Sequence, residues 1–303
     1  MTKVSVIIPT YGNPLFLSET IQSVINQTLS EWELIIVDDN NPESESRLQT
    51  QQLVKPFTET DNRITYICHE HNKNGAAARN TGFAVAKGKY IALLDSDDLY
   101  MPERLEKCFN TMESAPEEIA GVYTGCEFRS KGKKYHTEIN VKPGNFIVET
   151  LACTFMFCTG SNIFVRKCVV DELHGFDEKF LRHQDYEFLV RLFEKYSLDS
   201  IPEVLVVKNN EEFNLPDVNK QIAIKNQYLD KFEYIINSLP EKDQRYIYFW
   251  KNVKIAEGAM AQNKIQLANR YYREAKKFGH LTMTTQFRRI VYPLYNLIQK
   301  VWK

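Results

Sequence analysis

The chain has six cysteines (Cys68, Cys108, Cys126, Cys153, Cys158 and Cys168) but no C-x-x-C pair. Most of them sit inside apolar segments, so a zinc ribbon or a dithiol redox motif is excluded and reduced core residues are expected. No signal sequence is recognisable, which makes a cytosolic protein the expectation. No apolar run approaches the ~20 residues that span a bilayer, so the chain is read as soluble or peripheral. There is no excess of one charge: the net value is −1, which gives no global attraction to nucleic acid. No G-x-G-x-x-G follows the first apolar run and no G-x-x-x-x-G-K-[ST] occurs anywhere. A phosphate ligand would therefore be held by a metal and side chains rather than by a glycine-rich loop. Internal repeats and low-complexity tracts are absent too. What remains is 303 residues, 43% hydrophobic and 25% charged, enough for a packed core in one large or two ordinary domains.

The apolar pattern alternates between strands and helices. Lys3–Pro9 is a short β-branched strand ended by proline, Thr10–Asn13 a turn, and Pro14–Gln27 has helical spacing through Leu17, Ile21, Val24 and Ile25. Glu33–Asp39 is a second strand that ends in paired aspartates. Strand, helix and strand with short links imply a right-handed βαβ unit and a parallel sheet. A helix near Leu48–Phe57, a strand at Arg63–Cys68, an Ala-rich helix at Asn74–Lys87 and a strand from Lys89 follow. After a helix at Pro102–Ala115 the texture changes to an antiparallel excursion, 121–130 and 133–141, then a strand at Thr159–Arg166, helices at 167–174 and 182–193, and a strand at Ser200–Lys208. Residues 209–217 are polar and proline-broken, which marks a domain boundary; everything beyond is helical. The expected division is a catalytic domain over 1–208, in halves 1–100 and 101–208, and a helical extension over 209–303.

The stretch Lys89-Tyr90-Ile91-Ala92-Leu93-Leu94-Asp95-Ser96-Asp97-Asp98 is the centre of this pattern. Its first half reads as a strand buried on both faces, and it ends in three carboxylates within four residues. Asp95 and Asp97 are two apart, so in extended geometry they point to one side. Two such carboxylates repel unless a cation lies between them, and a hard divalent ion suits oxygen ligands. Asp98 reads instead as a turn residue or cap for the helix opened by Pro102. Asp38-Asp39 ends a neighbouring strand, and Thr10 and Tyr11 end the first. In a parallel sheet all of these lie on the edge where open α/β folds bind ligands.

Val6-Ile7-Ile8-Pro9-Thr10-Tyr11, Ile36-Val37-Asp38-Asp39, Asn74-Gly75-Ala76-Ala77-Ala78-Arg79-Asn80-Thr81-Gly82 and Leu94-Asp95-Ser96-Asp97-Asp98 resemble the family 2 glycosyltransferases of GT-A fold, over residues 3 to 207. The resemblance implies an α/β fold, a Rossmann-like, mostly parallel sheet with helices on both faces. It also implies a nucleotide-sugar donor, usually UDP-linked, Mn²⁺ or Mg²⁺, and inversion at the anomeric carbon. It places Pro9, Thr10 and Tyr11 in the base pocket, with Asp39 accepting from the uracil ring. Asp95 and Ser96 belong to the D-x-D on the ribose side, and Asp97 is the metal ligand. Arg79 either supports the nucleotide or is a surface-helix arginine. The family's acidic pair before a helix reads Gln184-Asp185 here, a departure that keeps the aspartate expected to act as general base. Asp185 as a simple helix cap is the competing reading, Glu187 is the fallback base, and His183 is an exposed residue or a partner of the site. Gly160-Ser161-Asn162 matches a segment lining the sugar and acceptor side.

The Q-x-x-R-W motif of processive synthases is missing, so one sugar per encounter is expected, with a lipid-linked glycan acceptor in cell-surface polysaccharide synthesis. Two other functions compete: a nucleotidyltransferase, which needs a glycine-rich basic loop that Thr10-Tyr11-Gly12-Asn13 does not supply, and an inactive scaffold, against which Asp95, Asp97 and Asp185 are all intact. From Ala275 to Lys303 there are six basic residues and no acidic one, with Phe287, Val291, Leu294, Ile298 and Val301 at helical spacing and Pro293 as a kink. That pattern suits the inner face of an anionic membrane, or else packing on the catalytic domain or a homodimer contact.

Overall fold

The computed structural model describes residues 2–209 and 216–281. In chain order its elements are β1 (Val4–Thr10), α1 (Leu17–Ile25), β2 (Trp32–Asp38), α2 (Glu45–Thr60), β3 (Ile64–Cys68), α3 (Gly75–Val85), β4 (Tyr90–Leu93), β5 (Leu99–Tyr100), α4 (Arg104–Ser114), β6 (Ile119–Ser130), β7 (Lys133–Glu138), α5 (Ile147–Leu151), β8 (Phe164–Arg166), α6 (Lys167–Glu172), α7 (Gln184–Phe193) and β9 (Ser197–Asn209). Helices α8 (Val218–Lys231), α9 (Glu233–Ser238), α10 (Glu241–Ala261) and α11 (Ile265–Lys276) follow. One compact unit takes in Met1–Asn145 and Met156–Glu212; the other takes in Phe146–Phe155 and Phe213–Lys303. The second unit thus includes α5, a segment that the sequence pattern alone assigns to the first domain.

The nine strands form one sheet in the order β3-β2-β1-β4-β8-β6-β9-β5, with β7 beside β6. Strands β3, β2, β1 and β4 are parallel, whereas β8 runs antiparallel to both β4 and β6. Strands β1, β2 and β4 are buried except for half-buried Pro9 and Glu33, because α1 and α3 cover them with apolar stripes. Leu17, Ile21 and Val24 of α1 are fully buried. On α3, Gly82 lies so close to β1 that a Cβ would sit 2.5 Å from Ile7 Cγ2. The alanines before it serve the same close approach.

The register opens the site. Pairing of β1 with β4 stops at Ile7↔Leu93, while β1 continues along β2 to Thr10↔Asp38. Pro9, which has no N–H to donate, therefore falls where β1 has lost one neighbour. Beyond that point the chain turns through Gly12, at φ +79°, whose N–H donates to Asn40 Oδ1 at 2.8 Å.

One sequence expectation changes and one strand had no expectation. Thr159–Arg166 was expected as one strand, but Gly160–Asn162 is a 3-10 turn and only Phe164–Arg166 is strand. Its polar side chains are consumed by buried hydrogen bonds that a ladder cannot make. The two-residue β5, carried in the chain after the aspartates, has too few residues for any periodicity. In the second unit Val253, Ala256, Ala259 and Met260 of α10 pack with Ala268, Tyr272 and Ala275 of α11. Tyr228 Oη donates to the Thr150 carbonyl at 2.9 Å, joining α8 to α5. No helix of the described residues is long and apolar enough to cross a membrane. The basic, apolar tail lies beyond Leu281, outside the described residues, as does most of the 209–217 boundary.

Candidate active site

At the carboxyl ends of the parallel strands lies a cleft of about 370 Å³ lined by Pro9, Thr10, Tyr11, Asp39, Arg79, Asp95 and Ser96, together with Asn72, Asn74, Gly75 and Ala78. The seven residues named first are the ones the resemblance assigns to the nucleotide. Strand order explains their convergence: β2 and β4 flank β1, so Asp39 and Asp95 end strands two spacings, about 10 Å, apart.

The two aspartates at the end of β2 differ. Asp38 is fully buried and paired with Arg47, Nε to Oδ2 at 3.0 Å, and it also accepts from Tyr66 Oη. Arg47 Nη2 donates to the Asp38, Asn40 and His69 carbonyls as well, fastening the ends of β2 and β3. Asp38 is thus a structural anchor. Asp39 faces the loop between β3 and α3 and accepts from four donors within it, namely His69 Nδ1, Lys73 N, Asn72 Nδ2 and Asn74 N, at 2.7–2.9 Å. These bonds hold Asp39 in place at the edge of the cleft.

Arg79 is buried, so the surface-arginine reading does not hold. Its Nη2 donates to Asp95 Oδ1 at 2.7 Å and its Nη1 to Gln184 Oε1 at 3.1 Å. Burial alone would raise the Asp95 pKa, but the charges of Arg79 and Lys208 and the hydrogen bonds from Arg79 and Thr159 hold it below the usual carboxylate value. Asp98 is not the cap of α4, whose N-cap position is Glu103 and makes no side-chain bond. Instead it is fully buried under the turn, accepting from Ser161 Oγ at 2.6 Å, Thr159 Oγ1 at 3.1 Å and Asn209 N at 3.1 Å, with Lys208 Nζ at 3.4 Å. Burial and the neighbouring Asp95 and Asp97 push it up to about 7 in spite of Lys208.

Gly160-Ser161-Asn162 forms the floor of this turn. Ser161 Oγ accepts from Asp95 N at 2.9 Å, and Asn162 bonds Thr124 and Phe157 main chain. The guanidinium of Arg104, fully buried, donates to Ser161 O, Asn162 Oδ1 and Thr124 Oγ1. Only Gly160 faces the chemistry: a Cβ there would meet Asp185 Oδ1 at 3.0 Å and Oδ2 at 3.1 Å.

Asp185 lies in the first turn of α7, whose N-cap position is His183, at φ 60°, with no side-chain cap bond. The cap reading of Asp185 therefore fails. Its Oδ1 is buried without a hydrogen-bond partner. Burial and the repulsion of Asp95 raise its pKa, while Arg79 and Lys208 oppose them. Glu187 is no substitute: it is fully buried and held by Arg191, Nε to Oε1 at 2.6 Å and Nη2 to Oε2 at 2.7 Å. His183 packs edge-on against Tyr186, ring centroids 5.8 Å apart.

Asp97 is half-buried beside Ser96, its carbonyl accepting from Asn209 Nδ2 at 2.7 Å. Among the described residues no three His, Cys, Asp or Glu side chains form a metal cage. Asp95 is engaged by Arg79 and Thr159, and Asp98 by Thr159, Ser161 and Lys208. One carboxylate that shares an ion with substrate phosphates is nevertheless a donor set that Mg²⁺ or Mn²⁺ accepts. The site fits an ion brought in with a diphosphate. Sequence reasoning missed Lys208, Asn72, Gln184's bond to Arg79 and the structural task of Asp98. Only the position of Lys208 at a strand end hinted at any of them.

Comparison with known proteins agrees with this architecture. Residues 5–173 match Glycosyl transferase family 2, and residues 90–284 match Glycosyl transferase family group 2. A glycosyltransferase of Methanocaldococcus jannaschii is 31% identical over 82% of this chain and 84% of its own length. The UDP-Glc:alpha-D-GlcNAc-diphosphoundecaprenol beta-1,3-glucosyltransferase WfgD of Escherichia coli is 38% identical over 36% of this chain and 40% of that enzyme. Among solved structures, Staphylococcus aureus TarS (residues 1–349, with UDP-GlcNAc) superposes with a TM-score of 0.58 at 15% identity, over 90% of this chain and 89% of that one. With more than half of the chain matched and a relative aligned over four-fifths of both lengths, the protein belongs to glycosyltransferase family 2 and has the GT-A fold.

Proposed function

We propose that the protein is a non-processive, inverting transferase that moves one sugar from a UDP-sugar to a hydroxyl of a glycan acceptor. The observation that carries this reading is the placement of Asp185, a carboxylate with a buried, unpartnered oxygen, against Gly160 and within the field of Arg79 and Asp95. The nucleotide would lie along the cleft, with its base near Pro9, Thr10, Tyr11 and Asp39 and its ribose at Asp95 and Ser96. Arg79 does not touch the donor in this reading; it fixes Asp95 and keeps the cleft's charge balanced. A divalent ion held by Asp97 and the donor's own phosphate oxygens would, when bound, supply neutralisation of the diphosphate leaving group. Asp185 accepts the proton of the acceptor hydroxyl as that oxygen bonds to the anomeric carbon and the bond to the β-phosphate breaks, so UDP leaves with the electron pair and the configuration inverts.

The WfgD enzyme acts on a diphosphoundecaprenol-linked sugar, and TarS structures contain UDP and UDP-GlcNAc. The WfgD name supports a lipid-linked acceptor in cell-surface polysaccharide synthesis, and a peripheral position on the inner membrane face would bring the enzyme to such an acceptor. The test is release of free UDP from a panel of UDP-sugars with Mn²⁺, alongside UDP binding, for the wild type and Asp185→Asn. Unchanged UDP affinity with turnover lowered by about 10²–10⁴-fold supports the base assignment. A loss under about tenfold removes it.

A further inference from the structure

In the second unit, the faces that α8 and α10 turn towards each other carry lysines where apolar residues are expected. The two helices run antiparallel: Val218 N donates to Gln262 Oε1 at 2.9 Å, and a Cβ on Gly258 would collide with Gln221 Oε1. One turn further along α8 and one turn back along α10, that register sets Lys225 against Lys254, with Lys251 beside them. Lys225 falls in the α8 stripe of Val218, Tyr228 and Leu229, and Lys251 and Lys254 fall in the α10 stripe of Ile247 and Ile255; these apolar neighbours are buried. The lysines themselves are half-buried. The end of α5 lies over the same place. Tyr228 Oη donates to the Thr150 carbonyl, Tyr246 Oη is 3.1 Å from Thr154 Oγ1, and the Cys153 thiol lies within the field of both Lys225 and Lys254.

Like charges at facing positions repel, and among the described residues no carboxylate forms an ion pair with Lys225, Lys251 or Lys254. Burial holds Lys251 below the ordinary lysine value, against the attraction of exposed Asp230 and with the repulsion of Lys225. Packing does not call for this arrangement, since one acidic residue among the three would relieve it. Ammonium groups only donate, so the partner that suits them is an anion with several acceptor oxygens. A phosphate monoester carries about −1.5 to −2 at neutral pH, and three cations match a diphosphate better. An aromatic row flanks them on α10: the Tyr246 and Trp250 rings meet edge-on at 6.3 Å, and Lys254 Nζ lies 5.8 Å from the Trp250 centroid. We infer that Lys225, Lys251 and Lys254 form a second anion site, built from other residues than the donor cleft, for a diphosphate group. A diphosphate joins sugar to carrier in a lipid-linked acceptor, so for the source of its ligand this inference rests on the acceptor reading above.

The test titrates inorganic pyrophosphate and geranyl diphosphate calorimetrically into the full chain, with EDTA present so that no divalent ion ties either one to the donor cleft. Both should bind the wild type at least about tenfold more tightly than Lys225→Gln/Lys254→Gln, the loss expected of charge-assisted hydrogen bonds, and both should weaken as salt rises. Without ligand the double variant should melt at or above the wild-type temperature, because a repulsion is gone. Lys251→Gln is the second variant and should weaken both ligands in the same direction, so the outcome does not hang on the folding of one protein. Geranyl diphosphate binding more tightly than pyrophosphate assigns the site to the carrier lipid, with the chain against Tyr246 and Trp250. Equal binding of the two, lost equally in the variants, keeps the site but gives it to a free diphosphate and removes the link to the acceptor. Affinities that are the same in the wild type and both variants, or no binding by the wild type, overturn the site. UDP with Mn²⁺ should bind all three proteins alike, since its cleft lies in the first unit; no UDP binding by any of them would strike the nucleotide reading and leave this one standing.

Discussion

At Asp185 four influences act on one carboxyl. Burial and Asp95 favour the protonated form, and Arg79 with Lys208 favours the charged one; the balance lies above the ordinary 3.8. A general base works only when ionised, so kcat/KM should fall as pH drops through this raised value, giving an acid limb above the normal carboxylate range. Arg79→Gln removes a favourable cation and should move that limb to still higher pH; a limb that stays put would detach Arg79 from the base. Glu187 behaves differently. Glu187→Gln breaks a buried bidentate pair with Arg191 and should cost about 3 kcal/mol of stability, read by denaturant melts, with kcat of the folded enzyme little changed. A collapse of kcat at unchanged stability would restore Glu187 as a base. Thr10, Asp39, Asp95 and Ser96 in the cleft were legible because strand ends and a D-x-D spacing mark one sheet edge, whereas Asn72, in a loop, carries no such mark. Asp98 was not, since a carboxylate under a turn and one capping a helix have the same local sequence, and only the tertiary approach of Ser161 and Lys208 separates them.

The 3-10 turn at Gly160–Asn162 shows how an irregular segment serves a site better than the strand that its apolar flank suggests. Ser161 and Asn162 are buried and bonded on every side, so the turn is rigid and its first residue is the one free to meet Asp185. Alanine at 160 would place a methyl group 3.0–3.2 Å from the Asp185 carboxyl atoms, tighter than ordinary contact. Because the turn is fastened by Arg104, Asn162 and Ser161, the carboxylate must give way. Gly160→Ala should therefore lower kcat by tenfold or more, since misplacing a reacting group by a fraction of an ångström is costly, while leaving the UDP affinity and melting temperature close to wild type. Unchanged kcat would mean that Asp185 has slack and that its present position is not the working one. The parallel β-α alternation was readable because its strands and helices repeat apolar residues at their own periods and β1, β2 and β4 are mostly buried. This turn was not, because three residues carry no period and their partners come from α4, β4 and β6.

Charge is unevenly spread along the chain. Residues 213–303 hold sixteen Lys and Arg against seven Asp and Glu, although the whole chain is at −1. Such asymmetry points to an anionic partner for that part. Its last stretch, Ala275–Lys303, has six basic residues and no acidic one, with Phe287, Val291, Leu294, Ile298 and Val301 in a helical stripe. Composition alone reveals this tail, and its part beyond Leu281 lies outside the described residues. An apolar stripe with a basic flank binds an anionic membrane through buried area plus about 1 kcal/mol for each Lys or Arg near the surface. That sum would hold the enzyme beside a lipid-linked acceptor without a spanning helix. The intact protein should therefore co-sediment with vesicles containing anionic lipid at low salt and be released as salt screens the basic residues, whereas a chain ending at Phe278 should stay in the supernatant. Turnover on a water-soluble acceptor analogue should be the same for both, because the cleft lies within the first unit. If both chains sediment, or neither does, the tail has no membrane role, and the stripe is then a packing or dimer surface, which a concentration series in sedimentation velocity would detect as association lost on truncation.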